Sequence, residues 1–356
     1  MKMNGFLVTG PGEGTTTAAE KPVPGPGQCL IKVEYAGICG GDPDIFMHNN
    51  YGATPENPRI YGHEYYGEVV EINNPANRPT RVKIGDKVVG PQDAPCGVCD
   101  QCINGRPSIC SGMFGENRRP SGAFAEYLER DLDRVFVINP DVDPAVAAIC
   151  EPLAVAVFDV RFTGVGLGDN VLIIGAGAVG ILIGLVARHN GAANVIFSEL
   201  SDNRLALLRD MGFQTCHSIR DDVNAVVKES TGGLGADYVF ETSGSQPGWN
   251  LSLEAVRPGG IVVPVGLPYV ERTIDFAKIY DKELDLVTVN MHQTGDFAEA
   301  AHLINRGDLN ADFRRIVTSL WPLEQTKEAL EASRDKNGND IKIMLVPGLD
   351  KKVDLN

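Results

Sequence analysis

Three glycines spaced G-x-G-x-x-G, in Gly175-Ala176-Gly177-Ala178-Val179-Gly180, stand directly between the apolar run Val171-Leu172-Ile173-Ile174 and a helical run from Ile181 to His189. A strand that turns through glycine into a helix leaves few folds open. The first glycine permits a tight turn, the second admits a pyrophosphate against bare backbone, and the third lets helix and strand pack closely. The helix start adds unpaired N–H groups and a positive dipole end. Gly175, Gly177, Val179 and Gly180 are therefore candidate cofactor contacts. Glu199, nineteen residues past Gly180, ends the next strand candidate and suits the ribose hydroxyls of an adenosine, which favours NAD. A 2′-phosphate would meet Glu199 and Asp202 together, so NADP is disfavoured unless Arg204 swings across; Arg204 fits the adenine face better. Glycines that only shape a tight turn are the competing reading, and it leaves the neighbouring strand, helix and acid without a purpose.

The motif lies in a segment, 156–296, where apolar strand candidates alternate with helices: Val171–Gly175, Asn194–Glu199, Gln214–Ile219, Ala236–Thr242, Gly260–Gly266 and Leu284–Asn290. Six such strands predict a doubly wound parallel sheet. Ser243 and Gly266, at the ends of the fourth and fifth candidates, and Asn290, at the end of the sixth, join the cofactor candidates because ligands bind at the carboxyl edge of such sheets. Residues 1–155 read differently. Short strands such as Cys29–Tyr35 and Gly67–Ile72, and a turn entering a strand over Arg81–Val89, are punctuated by Gly and Pro, as in a partly open β-barrel. The tail 297–356, with an amphipathic helix over Leu323–Ser333 and an apolar strand Ile341–Val346, is assigned back to this first domain. Two domains suit a chain of 356 residues that is 43% hydrophobic.

A formal charge of −15 argues against nucleic acid and anionic membranes as partners, because both call for a basic surface. No apolar run reaches about 18 residues, and Met1–Gly5 lacks the features of an export signal, so a cytoplasmic protein is expected.

Of the eight cysteines, Cys96, Cys99, Cys102 and Cys110 follow C-x2-C-x2-C-x7-C, which lets four thiolates of one lobe (95–112) close on a zinc with no position left for water. Such a site is structural. Disulfides or an iron–sulfur centre are the alternatives; the tight spacing and the expected reducing compartment favour zinc. Cys29 and Cys216 read as packing residues and Cys150 as a bystander, although it adjoins Glu151. A second set, Cys39 with His63, Glu64 and Glu151, is scattered along the chain and mixes soft and hard donors, as an open catalytic zinc site does. Taken singly, each of these residues is ordinary.

The stretches Gly37-Ile38-Cys39-Gly40-Gly41-Asp42, Gly62-His63-Glu64-Tyr65-Tyr66-Gly67 and Glu151-Pro152-Leu153-Ala154-Val155, the cysteine lobe and the glycine motif occur in one order. In that order the chain resembles, over nearly its whole length, the zinc-containing medium-chain dehydrogenase/reductase family, and within it the polyol branch (sorbitol, threonine and related dehydrogenases). The resemblance implies an α/β protein: a GroES-like β-barrel catalytic domain with a Rossmann domain. It implies two zinc ions per chain, with Cys39, His63 and Glu64 as ligands of the catalytic one and Glu151 binding that metal or holding its water. It also implies that Asp42 orients His63, which fixes the imidazole tautomer. A homodimer or homotetramer built through the nucleotide domains is implied likewise.

The chain departs from the family pattern at Gly41, where relatives usually carry Ser or Thr, and at Asp44, where many carry His. The hydroxyl that passes the alcohol proton outward is missing, and a water, a second substrate hydroxyl or the cofactor ribose is expected to replace it, with Asp44 contacting the nicotinamide ribose. Glu116, Asn290 and His292 are candidate readers of substrate hydroxyls. The expected reaction is hydride transfer between NAD and a secondary alcohol of a polyol, inositol or sugar-derived substrate. Two alternatives stand beside it: an aldose 1-dehydrogenase of the glucose dehydrogenase type, which the Glu116 loop and Thr288-Val289-Asn290 resemble, and a nucleotide-binding protein of the same fold that lost turnover.

Overall fold

In the first 137 residues the chain folds into short strands: β1 (Lys2–Gly10), β2 (Glu13–Glu20), β3 (Gln28–Gly37), β4 (Arg59–Ile60), β5 (Glu64–Asn73), β6 (Lys87–Val89), β7 (Tyr127–Asp131) and β8 (Phe136–Val137). The computed structural model describes residues 1–91, 94–112, 121–266, 270–335 and 339–355. They divide into two units, one of residues 1–154 with 293–356 and one of residues 155–292.

The second unit contains β9 (Asn170–Ile174), β10 (Asn194–Glu199), β11 (Gln214–His217), β12 (Ala236–Glu241), β13 (Val256–Pro264) and β14 (Asp285–Leu286). All neighbours are parallel and lie in the order β11-β10-β9-β12-β13-β14, the doubly wound arrangement. Parallel strands need cover on both faces, and the sequence supplies it. Val171, Leu172 and Ile173 are fully buried, as are Ile181, Leu182, Ile183 and Leu185 of the helix Ala178–His189 that follows the glycine turn. The last strand is shorter than its apolar run suggests. Only Asp285 and Leu286 join the ladder, at an edge with one neighbour and both side chains exposed, and Asn290 lies beyond the strand.

The first unit closes with β15 (Val317–Pro322), β16 (Lys342–Val346) and β17 (Val353–Asp354). Its main sheet runs β17-β15-β16-β3-β5-β6-β8, with β7 also paired to β3, and β2-β1-β4 forms a smaller sheet. Ile31, Val33, Val69, Val88, Phe124 and Leu128 fill the core between them. The tail begins earlier than Phe297: Gln293 caps the helix Thr294–Arg306 through a capping box with Asp296, and its side-chain amide donates to Ser108 Oγ at 2.7 Å, so 293–296 stay with the first unit.

One register decides where chemistry is possible in this unit. Gly37, at the end of β3, sits opposite Glu64 at the start of β5 and opposite Met344 of β16. A Cβ on Gly37 would meet Glu64 Oε2 at 2.0 Å, so glycine is what allows that carboxylate to lie over the strand. Cys39, His63, Glu64 and Lys342 thus come together at the ends of three adjacent strands. Among the described residues no helix is long and apolar enough to cross a membrane.

Candidate functional site

At the nucleotide turn Gly175 has φ 102°, and a Cβ there would press on Thr242 Oγ1 at 2.9 Å. At Gly180 a Cβ would strike the Gly175 carbonyl oxygen at 2.4 Å, which is the close helix–strand contact the motif calls for. Gly177 differs: a Cβ there would meet nothing within 4 Å, leaving open space over bare backbone at the helix start, where a pyrophosphate fits. Val179 follows in the first turn of that helix.

Glu199 stands where a ribose carboxylate was expected, but most of its capacity is already used. Oε2 accepts from the Ala176 N–H at 2.6 Å, and Oε1 from the Leu200 and Ser201 N–H groups at 2.6 and 2.8 Å. Of roughly four acceptor positions on a carboxylate, about one is left for a ribose hydroxyl. Asp202, three residues on, is gripped by both Nη atoms of Arg220, which hold its carboxyl below the usual range. Arg204 lies half-buried on the helix Asp202–Asp210, its backbone N–H capped by Ser201 Oγ at 3.5 Å.

The Ser243 hydroxyl donates to buried Glu241, whose carboxylate also accepts from the Ser243 and Gly244 N–H groups at 3.0 Å each. Gly266 packs so tightly that a Cβ would meet Gly244 N at 2.3 Å. Asn290 is exposed, His292 is buried and Glu116 lies outside the described residues.

In the cysteine lobe the ligand-forming sulfurs of Cys96, Cys99, Cys102 and Cys110 all lie within 4.8 Å of one another, and none is in a disulfide. Cys99 Sγ and Cys110 Sγ are 3.8 Å apart. A tetrahedron with zinc–sulfur bonds of about 2.3 Å has an edge of about 3.8 Å, so the lobe fits zinc. Backbone N–H groups of Cys96 and Gly112 point at Cys110 Sγ (3.2 and 3.3 Å), as they would toward a thiolate. Those of Cys102 and Ser111 bring the Cys99 thiol down to about 5.

The donor atoms of Cys39, His63 and Glu64 likewise come within 4.8 Å of one another. Asp42 organises two of the three residues: Oδ2 accepts from the Cys39 N–H at 2.9 Å, and Oδ1 faces His63 Nδ1 at 3.4 Å, leaving Nε2 as the donor for a metal. Burial works against a charged His63, but Asp42 and then Cys39 outweigh it and raise the imidazole well above its ordinary range, so metal binding there displaces a proton. Glu151, in the first turn of the helix Cys150–Thr163, stands outside this three-donor set, yet its charge bears on Asp42, His63 and Lys342. Asp44 is half-buried in the first turn of the helix Asp42–His48, whose N-cap, Gly41, makes no side-chain cap bond.

Lys342 is the residue that sequence reasoning missed. Its buried Nζ donates to both Glu64 oxygens at 2.8 Å and to the Ile38 carbonyl at 3.0 Å. Burial alone would lower this lysine; Glu64 outweighs it and holds the proton on. A single lysine inside the apolar run Ile341–Val346 was the available signal.

Residues 25–140 match the model of the alcohol dehydrogenase GroES-like domain, and residues 178–306 that of the zinc-binding dehydrogenase family. Sorbitol dehydrogenase of Halalkalibacterium halodurans is 32% identical over 352 residues, 97% of this chain and 99% of that protein. The chain belongs to the zinc-containing medium-chain dehydrogenases. Among these enzymes it falls in the polyol and threonine branch. Solved structures that share its fold include the following two. L-idonate 5-dehydrogenase from Escherichia coli superposes with a TM-score of 0.86 at 25% identity, covering 97% of this chain and 98% of that one. A zinc-binding dehydrogenase from Sinorhizobium meliloti 1021 bound to NADP superposes with a TM-score of 0.88 at 28% identity, covering 98% and 100%.

Lys342→Met is expected to strand the Glu64 charge and cost about 3–5 kcal/mol in urea unfolding of the zinc-free dehydrogenase, whereas Lys342→Met with Glu64→Leu should recover most of it. Equal stability of Lys342→Met and wild type would show that the pair carries no load.

Proposed function

We propose that this dehydrogenase transfers hydride between NAD and a secondary alcohol of a polyol, inositol or sugar-derived substrate. The observation that carries the reading is the meeting of Cys39, His63 and Glu64 beside Asp42 and Lys342, in a chain whose other unit bears a turn open to pyrophosphate. The zinc supplies Lewis acidity toward the alcohol oxygen, and the nicotinamide supplies the hydride acceptor.

The chain's own residues set the conditions. Cys39 and His63 present one thiolate and one imidazole nitrogen, and Asp42 holds both in place. Two carboxylates are the candidates for completing the ligand set: Glu64, whose oxygen lies in the same donor cluster, and Glu151, whose charge bears on His63. Glu64, clamped by Lys342, would be the third ligand, and Glu151, whose charge bears on the same lysine, would bind the metal or hold its water. With Gly41 offering no hydroxyl, the alcohol proton leaves through a water, a second substrate hydroxyl or the cofactor ribose, and Asp44 ends that path. Asn290 and His292 are the remaining candidates for reading substrate hydroxyls. For the cofactor, Glu199 and Asp202 favour NAD over NADP, and Cys96, Cys99, Cys102 and Cys110 hold the second zinc.

Self-association fits the second unit. Among the described residues β14 pairs only with β13, and Leu286 on it and Val270, Ile274, Phe276 and Tyr280 in the segment that leads to it are exposed. We propose a homodimer, or a homotetramer made of two such dimers, closed through this edge.

In a spectrophotometric screen with NAD, polyols and inositols are expected to give NADH faster than aldoses. Cys39→Ser should abolish turnover and reduce the zinc content from two per chain to one. Faster oxidation of aldoses would move the assignment to an aldose 1-dehydrogenase, and one zinc in the wild type would remove the catalytic site. In the same assay Asp44→Ala is expected to lower kcat by at least about tenfold with an altered pH profile; wild-type behaviour across the pH range would exclude Asp44 from the proton path. Sedimentation of Phe276→Glu should show a smaller species than wild type, and an unchanged mass would place the interface elsewhere.

A further inference from the structure

The carboxylate expected to discriminate between cofactors, Glu199, is engaged by three backbone N–H groups and is buried, so it acts first as a strut between the glycine turn and β10. Beyond it the surface carries a different device. Arg220 sits in the loop after β11, and β11 lies beside β10 with His217 opposite Glu199, so the Arg220 loop and the Glu199–Asp202 segment share one corner of the carboxyl edge. This loop is built rather than slack. His217 Nδ1 accepts from the Ile219 and Arg220 N–H groups at 3.1 and 3.2 Å, and Asp221 Oδ2 accepts from the His217 N–H at 2.7 Å. The Ser218 N–H donates to the Glu199 carbonyl at 3.0 Å, and Ser198 and Ser218 share a hydroxyl bond at 2.8 Å. From this anchored loop the Arg220 guanidinium reaches across and forks onto both oxygens of Asp202.

A planar fork on a carboxylate is the geometry with which arginine also binds phosphate. We propose that Asp202, by occupying Arg220 and by its own charge, is the residue that excludes a 2′-phosphate from this corner, and that Arg220 is a latent ligand for that phosphate. The inference rests on the nucleotide reading of the glycine turn. A 2′-phosphorylated nucleotide entering the wild type has to break the Asp202–Arg220 fork and then lie beside the carboxylate it released. Both partners are more than half exposed, so the fork itself is weak, and repulsion by Asp202 is the larger obstacle. Once Asp202 is neutral, the obstacle goes and the guanidinium is available.

The test is binding calorimetry of the full-length, zinc-loaded protein with 5′-ADP and with 2′,5′-ADP, for wild type, Asp202→Asn and Asp202→Asn/Arg220→Ala. The wild type should bind 5′-ADP the more tightly. In Asp202→Asn the ratio of the two dissociation constants should shift toward 2′,5′-ADP by about tenfold, a gain that added salt erodes, and the double variant should lose most of it. An unchanged ratio in Asp202→Asn, equal behaviour of the single and double variants, or equal wild-type affinity for both ligands each overturns the proposal while leaving the nucleotide site standing. Failure of the wild type to bind either ligand overturns the nucleotide reading and the inference with it.

Discussion

The buried ion pair between Glu64 and Lys342 is the constraint around which the first unit is organised. One ammonium group bonds a carboxylate from the start of β5, a carbonyl from the segment after β3, and comes itself from the start of β16. Three strand ends are thereby tied at the point from which Cys39 and His63 project. Two charges taken out of water gain little net stability over a well-packed apolar pair, and either one alone is costly. The arrangement is thus poorly explained as a stabilising device. It is well explained if a carboxylate has to be present, fully buried, within reach of a metal's donors, and if a counter-charge has to receive it whenever the metal does not.

The two donor clusters are built in opposite ways. In the cysteine lobe the helix Asp100–Ile103 buries none of its residues, and Val98 and Ile103 are about three-quarters exposed. A segment with so little apolar cover has no core to hold it, and four thiolates around one ion would take the place of that core. The mixed site is the reverse case. It lies over a packed barrel in which Tyr61, Tyr65 and Phe124 are buried, so its geometry is imposed by the fold before any metal arrives. Three donors from an already rigid frame leave coordination incomplete, which is what a reactive centre requires.

Much of this was legible in the chain because local chemistry wrote it. The glycine turn is a matter of six consecutive residues, the lobe of four closely spaced cysteines, and the strand–helix alternation of short apolar runs. What was hidden depends on partners distant in sequence. Lys342 gains its meaning from Glu64, to which only the antiparallel pairing of β16, β3 and β5 brings it. Asp202 looks like a free carboxylate until the loop after β11 delivers Arg220. The run Leu284–Asn290 reads as a full strand because its composition is apolar, yet at the sheet edge only Asp285 and Leu286 pair. Periodicity reports what a segment prefers, and position in the sheet decides how much of that preference is realised.

A chain of net charge −15 would be expected to keep its acids in water, yet Asp42, Glu64, Glu199 and Glu241 are all at least nine-tenths buried. Each is satisfied by donors that would themselves be stranded: the Cys39 N–H, the Lys342 ammonium, the N–H groups of Ala176 in the glycine turn and of Leu200 and Ser201 after β10, and the Ser243 and Gly244 N–H groups. Loops at the carboxyl edge of a parallel sheet leave their amide groups without ladder partners, and a carboxylate satisfies several of them at once. The consequence for binding is direct. A turn held by Glu199 and a second loop held by Glu241 do not have to be ordered when the nucleotide enters, so the entropy of fixing them is spent in folding rather than in recognition.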